Sequence, residues 1–249
     1  MVFLKTRAEI EKIREAGRIV AAVLHKVSEM VKPGISTWEL DRAAEALICS
    51  HPDCRPAFKG YGGFPGTLCT SVNHEVVHGI PSRQRVLADG DIISIDVGVL
   101  RKGYFADAAA TFVVGQAGSR QQKIIDCARR ALAAGIGQAV ADNRIGDIGH
   151  AVEEVAAGEK YSVVRDLVGH GIGQSLHEDP QVPNFGTPKQ GYQLREGLVL
   201  AIEPMINEGT HEVRTLKDNW TVVTADGKLS VHFEHTVAIG PTGPEILTD

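Results

Sequence analysis

At 249 residues, 43% hydrophobic and 23% charged, the chain has the make-up of a globular protein that can bury a sizeable core. Its net charge of −5 and the absence of any Lys/Arg run argue against a nucleic-acid substrate. The N-terminus turns charged at Lys5 and lacks the apolar core of a signal peptide, no apolar run reaches the roughly 18 residues of a membrane span, and the four cysteines show no CxxC spacing. A reduced, cytoplasmic, monomeric protein without membrane contact is expected.

Residues 6–31, TRAEIEKIREAGRIVAAVLHKVSEMV, set Ile10, Ile13, Ala16, Val20, Val23, Leu24 and Val27 at helical spacing, and Pro33-Gly34 stops the pattern. A second helix, ISTWELDRAAEALI, is capped by Ser36 or Thr37. The chain then becomes Gly-rich. In YGGFPG the glycines are too frequent for a regular core element, which suits a loop shaped around a ligand. In DGDIISIDVGVLRKGYFADAAATFVVG, alternating apolar residues flank the turn signal Arg101-Lys102-Gly103 and predict an antiparallel hairpin. Asp96 and Asp107 are symmetric about that turn, so a regular hairpin sets them directly opposite each other, with Cβ atoms about 4.5–5.5 Å apart.

The same order then recurs. Residues 119–142 predict a second long amphipathic helix, and NRIGDIGHAVEEVAAG reads as a variation on KPGISTWELDRAAEA, with Ile145 against Ile35. GDIISID and GLVLAIE each run from Gly to an acid, Asp96 and Glu203, and HGIP (78–81) matches HEDP (177–180). The repetition implies two similar α+β halves, about 1–115 and 116–249, within one catalytic domain spanning 1–249, with equivalent strands facing a shared centre. In GHGIGQSLHEDP, Gly171 and Gly173 disfavour a helix, and on a strand the spacing of His170 and His177 sends them to opposite faces. Both meet one object only if the chain bends between them, which suggests two roles rather than a matched pair of ligands.

Asp96 and Asp107 have apolar neighbours, so solvent cannot relieve their repulsion. Glu203, ending the hydrophobic strand of LVLAIEPM, and Glu234, in the predicted strand of SVHFEHTVAIG, stand in the same position. Four carboxylates carry four negative charges, which two divalent cations balance. A single calcium would leave surplus charge and is normally held by loop oxygens. Oxygen ligands with one imidazole suit Mn, Fe, Co or Zn. Two such ions can share and activate a water and polarise a carbonyl, which points to a metal-dependent hydrolase.

These residues resemble those of the type I methionine aminopeptidases, members of the pita-bread metallopeptidases. The resemblance runs the length of the chain: VHGIP at His78, IDVGVLRKGYFAD, GHGIG at His170, LHEDPQVPN at His177, IEPM at Glu203 and FEHT at Glu234. It implies a pita-bread fold, with antiparallel sheet inside and helices outside. Asp96, Asp107, His170, Glu203 and Glu234 would be the metal ligands, with Asp107 and Glu234 serving both ions. It further implies that His177 supports the tetrahedral intermediate, His78 contacts the substrate near the leaving amide, and Glu203 shuttles the proton. Phe58, Tyr61, Phe64, Cys69, Leu176 and Trp220 would line a methionine slot. The implied substrates are nascent polypeptides with a small second residue, with transient ribosome contact allowed for. Several positions depart from the family's usual residues. Gly98 stands where a threonine commonly supports the metal aspartate, Phe105-Ala106 replaces a frequent His-Gly pair, Val77 replaces a common cysteine, and Phe58 and Leu176 change the slot. An X-Pro peptidase of the same fold could use the same ligands but usually carries an additional N-terminal domain. A non-catalytic peptide- or ribosome-binding module typically loses ligands, and this sequence keeps all five.

Overall fold

The computed structural model describes residues 2–249. The first half runs α1 (Arg7–Met30), α2 (Thr37–Ser50), β1 (Cys54–Pro56), β2 (Leu68–Val72), β3 (Glu75–Val77), β4 (Ile92–Arg101) and β5 (Tyr104–Val113). The second runs α3 (Ser119–Gly137), α4 (Ile145–Gly158), β6 (Ser162–Val163), β7 (Gly169–Gly171), β8 (Glu178–Val182), β9 (Val199–Ile202) and β10 (Met205–Asn207). It continues with β11 (Val213–Thr215), β12 (Val222–Thr224), β13 (Ser230–His232), β14 (His235–Gly240) and β15 (Gly243–Ile246). Among the described residues no helix is long and apolar enough to cross a membrane.

Local chemistry sets the helix ends. Thr6 and Ser36 open α1 and α2 with reciprocal capping boxes: each hydroxyl accepts from the N–H of Glu9 or Glu39, whose carboxylate accepts from the cap's own N–H at 2.8 and 2.9 Å. Ser36, not Thr37, is therefore the cap of α2. The third helix stops at Gly137 rather than reaching 142. Gly135 and Gly137 weaken its last turn, and the Asn143 side-chain amide donates to the Gln138 carbonyl at 3.0 Å, satisfying a group the helix leaves open.

All strand pairs are antiparallel, and the two principal sheets repeat one plan. In the first, β4 pairs with β2 on one edge and β5 on the other; in the second, β9 pairs with β7 and β14. Bonds in the connecting loops repeat as well. Thr37 N–H donates to Arg85 O (2.9 Å) and Leu87 N–H to Ile35 O (2.8 Å), while Ile145 N–H donates to Tyr192 O (3.0 Å) and Leu194 N–H to Asn143 O (2.7 Å). The equivalent of Ile35 is thus Asn143, two residues before the Ile145 that sequence likeness suggests, because backbone pairing and not side-chain identity sets the register.

Strand alternation then sorts the side chains. Ile93, Ile95, Val97 and Val99 of β4 face the core under α1 and α2, where Ile13, Val20, Leu40 and Ile48 are fully buried. Leu200 and Ile202 of β9 face a second core under α3 and α4, with Ile124, Ala128 and Val152. Each fully buried aliphatic side chain of this kind contributes about 1.5–3 kcal/mol. The opposite strand faces carry Asp96 on β4 and lead to Glu203 after β9. Those faces meet where Asp107 N–H donates to Thr236 Oγ1 (3.0 Å), Thr236 Oγ1 donates back to Asp107 O (2.7 Å), and Glu234 N–H donates to Ala109 O (2.9 Å). The two halves join at the acids.

Candidate metal centre and active site

The hairpin places Asp96 and Asp107 on one face, but not directly opposite each other. Arg101 pairs with Tyr104 across Lys102-Gly103, whose φ values of 47° and 83° belong to a two-residue type I′ turn. Asp96 therefore faces Ala109, and Asp107 faces Gly98. The aspartates are diagonal neighbours, a wider spacing than direct opposition, of about 7–8 Å along the backbone. Their carboxyl groups are still close enough to perturb each other's protonation.

Glu203 and Glu234 lie just outside strands rather than within them. The register that pairs Ile202 with His235 is the one that pairs Met205 with His232. Between those ladders is a two-residue gap, Glu203-Pro204 facing Phe233-Glu234. Pro204 has no N–H to give the ladder, so the pairing breaks there and leaves both acids free to point at the centre.

Asp96 Oδ1, Asp107 Oδ1 and Glu234 Oε1 are buried without a hydrogen-bond partner among the described residues. Burial is the first cause of the pKa shift at all four acids. It raises Asp96 and Glu234 well above the carboxylate range, Asp107 to about 7 and Glu203 to about 8, and mutual repulsion adds to it at Asp96, Asp107 and Glu234. Four buried carboxylates, three of them with an orphaned oxygen, are what a divalent cation site requires of a protein, and the donor set fits. Asp107, His170 and Glu234 alone present ligand atoms within 4.8 Å of one another.

His170 sits on β7, beside Ala201 of β9. Its Nδ1 donates to Gly171 O at 2.9 Å, which fixes the tautomer with the lone pair on Nε2. Nε2 lies 3.6 Å from Glu203 Oε1. Burial lowers the His170 pKa to about 4, as a ligand imidazole requires. A register irregularity after His170 supplies the expected bend, and the His170 and His177 rings meet edge to face with centroids 4.4 Å apart. The flanking glycines permit close packing rather than a tight turn: a β-carbon on Gly169 or Gly171 would collide with the carbonyl of Ala201 or Asp179.

His177 is held by Tyr61, whose hydroxyl is 2.9 Å from Nδ1. Its neighbour Glu178 bonds Lys5 at 2.6 Å, a buried pair that ties the N-terminal segment to this loop. His78, in the left-handed region at φ 60°, stacks edge-on to Trp220 with centroids 6.3 Å apart. Trp220 in turn meets Phe64 at 5.1 Å. Tyr61 lies in a turn where Gly60, Gly62 and Gly63 have φ of 86°, 57° and 91°, conformations that only glycine adopts easily.

Every ligand, catalytic and slot residue expected from the sequence lines one cavity of about 680 Å³. The cavity also includes residues that the sequence reading missed, notably His232 and Met205. Among the described residues neither ring nitrogen of His232 has a hydrogen-bond partner, and Nε2 is 3.6 Å from Glu203 Oε2. The signal was present in SVHFEHT, where His232 stands two residues before Glu234 and so shares its side of an extended chain. Among the departures, Ala106 faces the first core, away from the acids, and Val77 packs with Val164 and Met205.

The sequence profile of metallopeptidase family M24 matches residues 11–241, and the chain belongs to that family. The methionine aminopeptidases of Clostridium perfringens and Clostridium acetobutylicum are 52% and 50% identical to it, over all of this chain and 99% of each relative. The crystal structure of the Thermotoga maritima methionine aminopeptidase matches with a TM-score of 0.98 at 43% identity, covering 100% of both chains. Prolidase from Pyrococcus furiosus shares the fold, with a TM-score of 0.80 at 24% identity over 99% of this chain and 65% of its own. Within the family, the chain falls in the methionine aminopeptidase group.

Proposed function

We propose that this enzyme removes the first methionine from nascent polypeptides whose second residue is small, using two divalent cations of the Co, Mn, Fe or Zn type. The observation that carries the proposal is the convergence of Asp96, Asp107, Glu203 and Glu234, drawn from both halves, beside His170, with orphaned buried oxygens on Asp96, Asp107 and Glu234. These five residues would hold the ions, Asp107 and Glu234 serving both. Bound there, the ions supply Lewis acidity and an activated water.

The remaining work falls to the chain. Burial keeps His177 and His78 neutral, His78 with a pKa of about 4. The proposed role assigns Tyr61 O–H as the donor to Nδ1, so that His177 presents Nε2–H to the oxygen of the scissile carbonyl, where charge develops. His78 contacts the substrate near the leaving amide. Glu203, with an imidazole 3.6 Å from each carboxyl oxygen, is the group suited to carry the proton to the leaving amine. The Phe64–Trp220 edge contact offers a thioether the aromatic surroundings it favours. Phe58, Tyr61, Cys69 and Leu176 complete the slot. The preference for a small second residue is what the resemblance to the methionine aminopeptidases implies, and a nascent substrate would bring the enzyme to the ribosome.

Protein stripped of metal and reloaded with Mn, Fe or Co should release methionine from Met-Ala-Ser and leave X-Pro dipeptides nearly untouched, as read by chromatography of the products. The opposite preference would make the chain an X-Pro peptidase on the shared fold. Activity on neither would leave a non-catalytic module.

A further inference from the structure

Gly98 is on the same face of β4 as Asp96 and directly across the hairpin from Asp107. A side chain at 98 would therefore rise beside the acids, at the border between the metal centre and the slot. That space is already filled. A β-carbon on Gly98 would lie 2.7 Å from Phe58 Cε1 and 3.2 Å from Cζ, closer than carbon atoms pack. The segment carrying Phe58 is fixed from both ends, since Ala57 N–H donates to Gly98 O (2.9 Å) and Tyr61 N–H to Phe58 O (2.8 Å). The ring cannot retreat freely. Phe58 is 8% exposed and lines the cavity.

We infer that Phe58 and Gly98 form one specificity element: the missing side chain at 98 seats the Phe58 ring as a wall of the slot next to the acids. That wall restricts the first residue of the substrate to a narrow, unbranched apolar side chain. The inference deepens the proposed peptidase activity and rests on it. A wall of one aromatic ring has a readable effect, because even one methylene in an apolar pocket changes discrimination by about 10–200-fold.

The test is a double-mutant cycle of Phe58→Ala and Gly98→Ala in the metal-loaded enzyme, with Met-Ala-Ser and Leu-Ala-Ser as substrates and thermal melting as a second readout. Phe58→Ala should raise the Leu-to-Met ratio of kcat/KM by about tenfold or more, with metal content unchanged. Gly98→Ala alone should push the ring into the slot and raise KM for Met-Ala-Ser by about tenfold. In the Phe58→Ala background the same change should cost far less in KM, and its effect on Tm should shrink in parallel. The 2.9 Å approach to Ala57 Cβ is present in both backgrounds and cancels. An active parent enzyme whose two substitutions are additive in KM and Tm, or an unchanged Leu-to-Met ratio after Phe58→Ala, would overturn the inference while leaving the peptidase reading intact. A metal-loaded parent inactive on Met-Ala-Ser would overturn both.

Discussion

Replacing Asp107 with alanine should abolish turnover and empty the metal centre together. Asp107 is 4% exposed, its backbone is pinned by Thr236 from the other half, and its carboxylate neighbours Asp96, Glu203 and Glu234. On the proposed function this acid would serve both ions, so its loss would leave neither with a full ligand set. Loss of the several kcal/mol that metal ions supply to the transition state corresponds to roughly a thousandfold or more in rate. Elemental analysis and Met-Ala-Ser turnover on the same preparation check this. A variant that keeps both ions, or keeps its rate, would contradict the role given to Asp107.

His177→Ala should behave differently, keeping both ions and losing rate. The His177 ring packs on His170 at 4.4 Å but is held by Tyr61 rather than by the acids. Removing one donor to a developing oxyanion typically costs about 10²–10³ in kcat. The loss should appear in kcat with little change in KM, because the bond strengthens as charge develops. Loss of metal in this variant would mean that the roles of the two histidines are reversed.

The bend between these histidines was legible in the sequence because it depends on local chemistry. Glycines around His170 disfavour a helix, and seven-residue spacing on extended chain demands a bend. The acids were legible for a similar reason, since charges amid apolar runs need a partner. The duplication showed in motif order but not in register, which backbone pairing at Thr37, Leu87, Ile145 and Leu194 decides. The exact face-to-face placement of Asp96 and Asp107 failed because the turn closes at Lys102-Gly103, and one residue in a turn shifts every partner along the hairpin. Glu203 and Glu234 fell outside strands because Pro204 interrupts the ladder.

Contacts between distant segments other than the acids were not legible. Lys5 and Glu178 are 173 residues apart in sequence, yet they form the buried pair next to His177. Thr236 looks like an ordinary strand residue until it brackets the backbone of Asp107. The fit of Phe58 over Gly98 depends on where a loop folds back on β4, and no spacing rule encodes it.

Acids from both halves meet in a buried centre, where the proposed function places two divalent cations. Anomalous diffraction from crystals of Mn- or Co-loaded protein tests this placement most directly. Two peaks should appear in the cavity among Asp96, Asp107, His170, Glu203 and Glu234. A single peak there, or peaks only at surface carboxylates, would rule out a dinuclear centre at these acids.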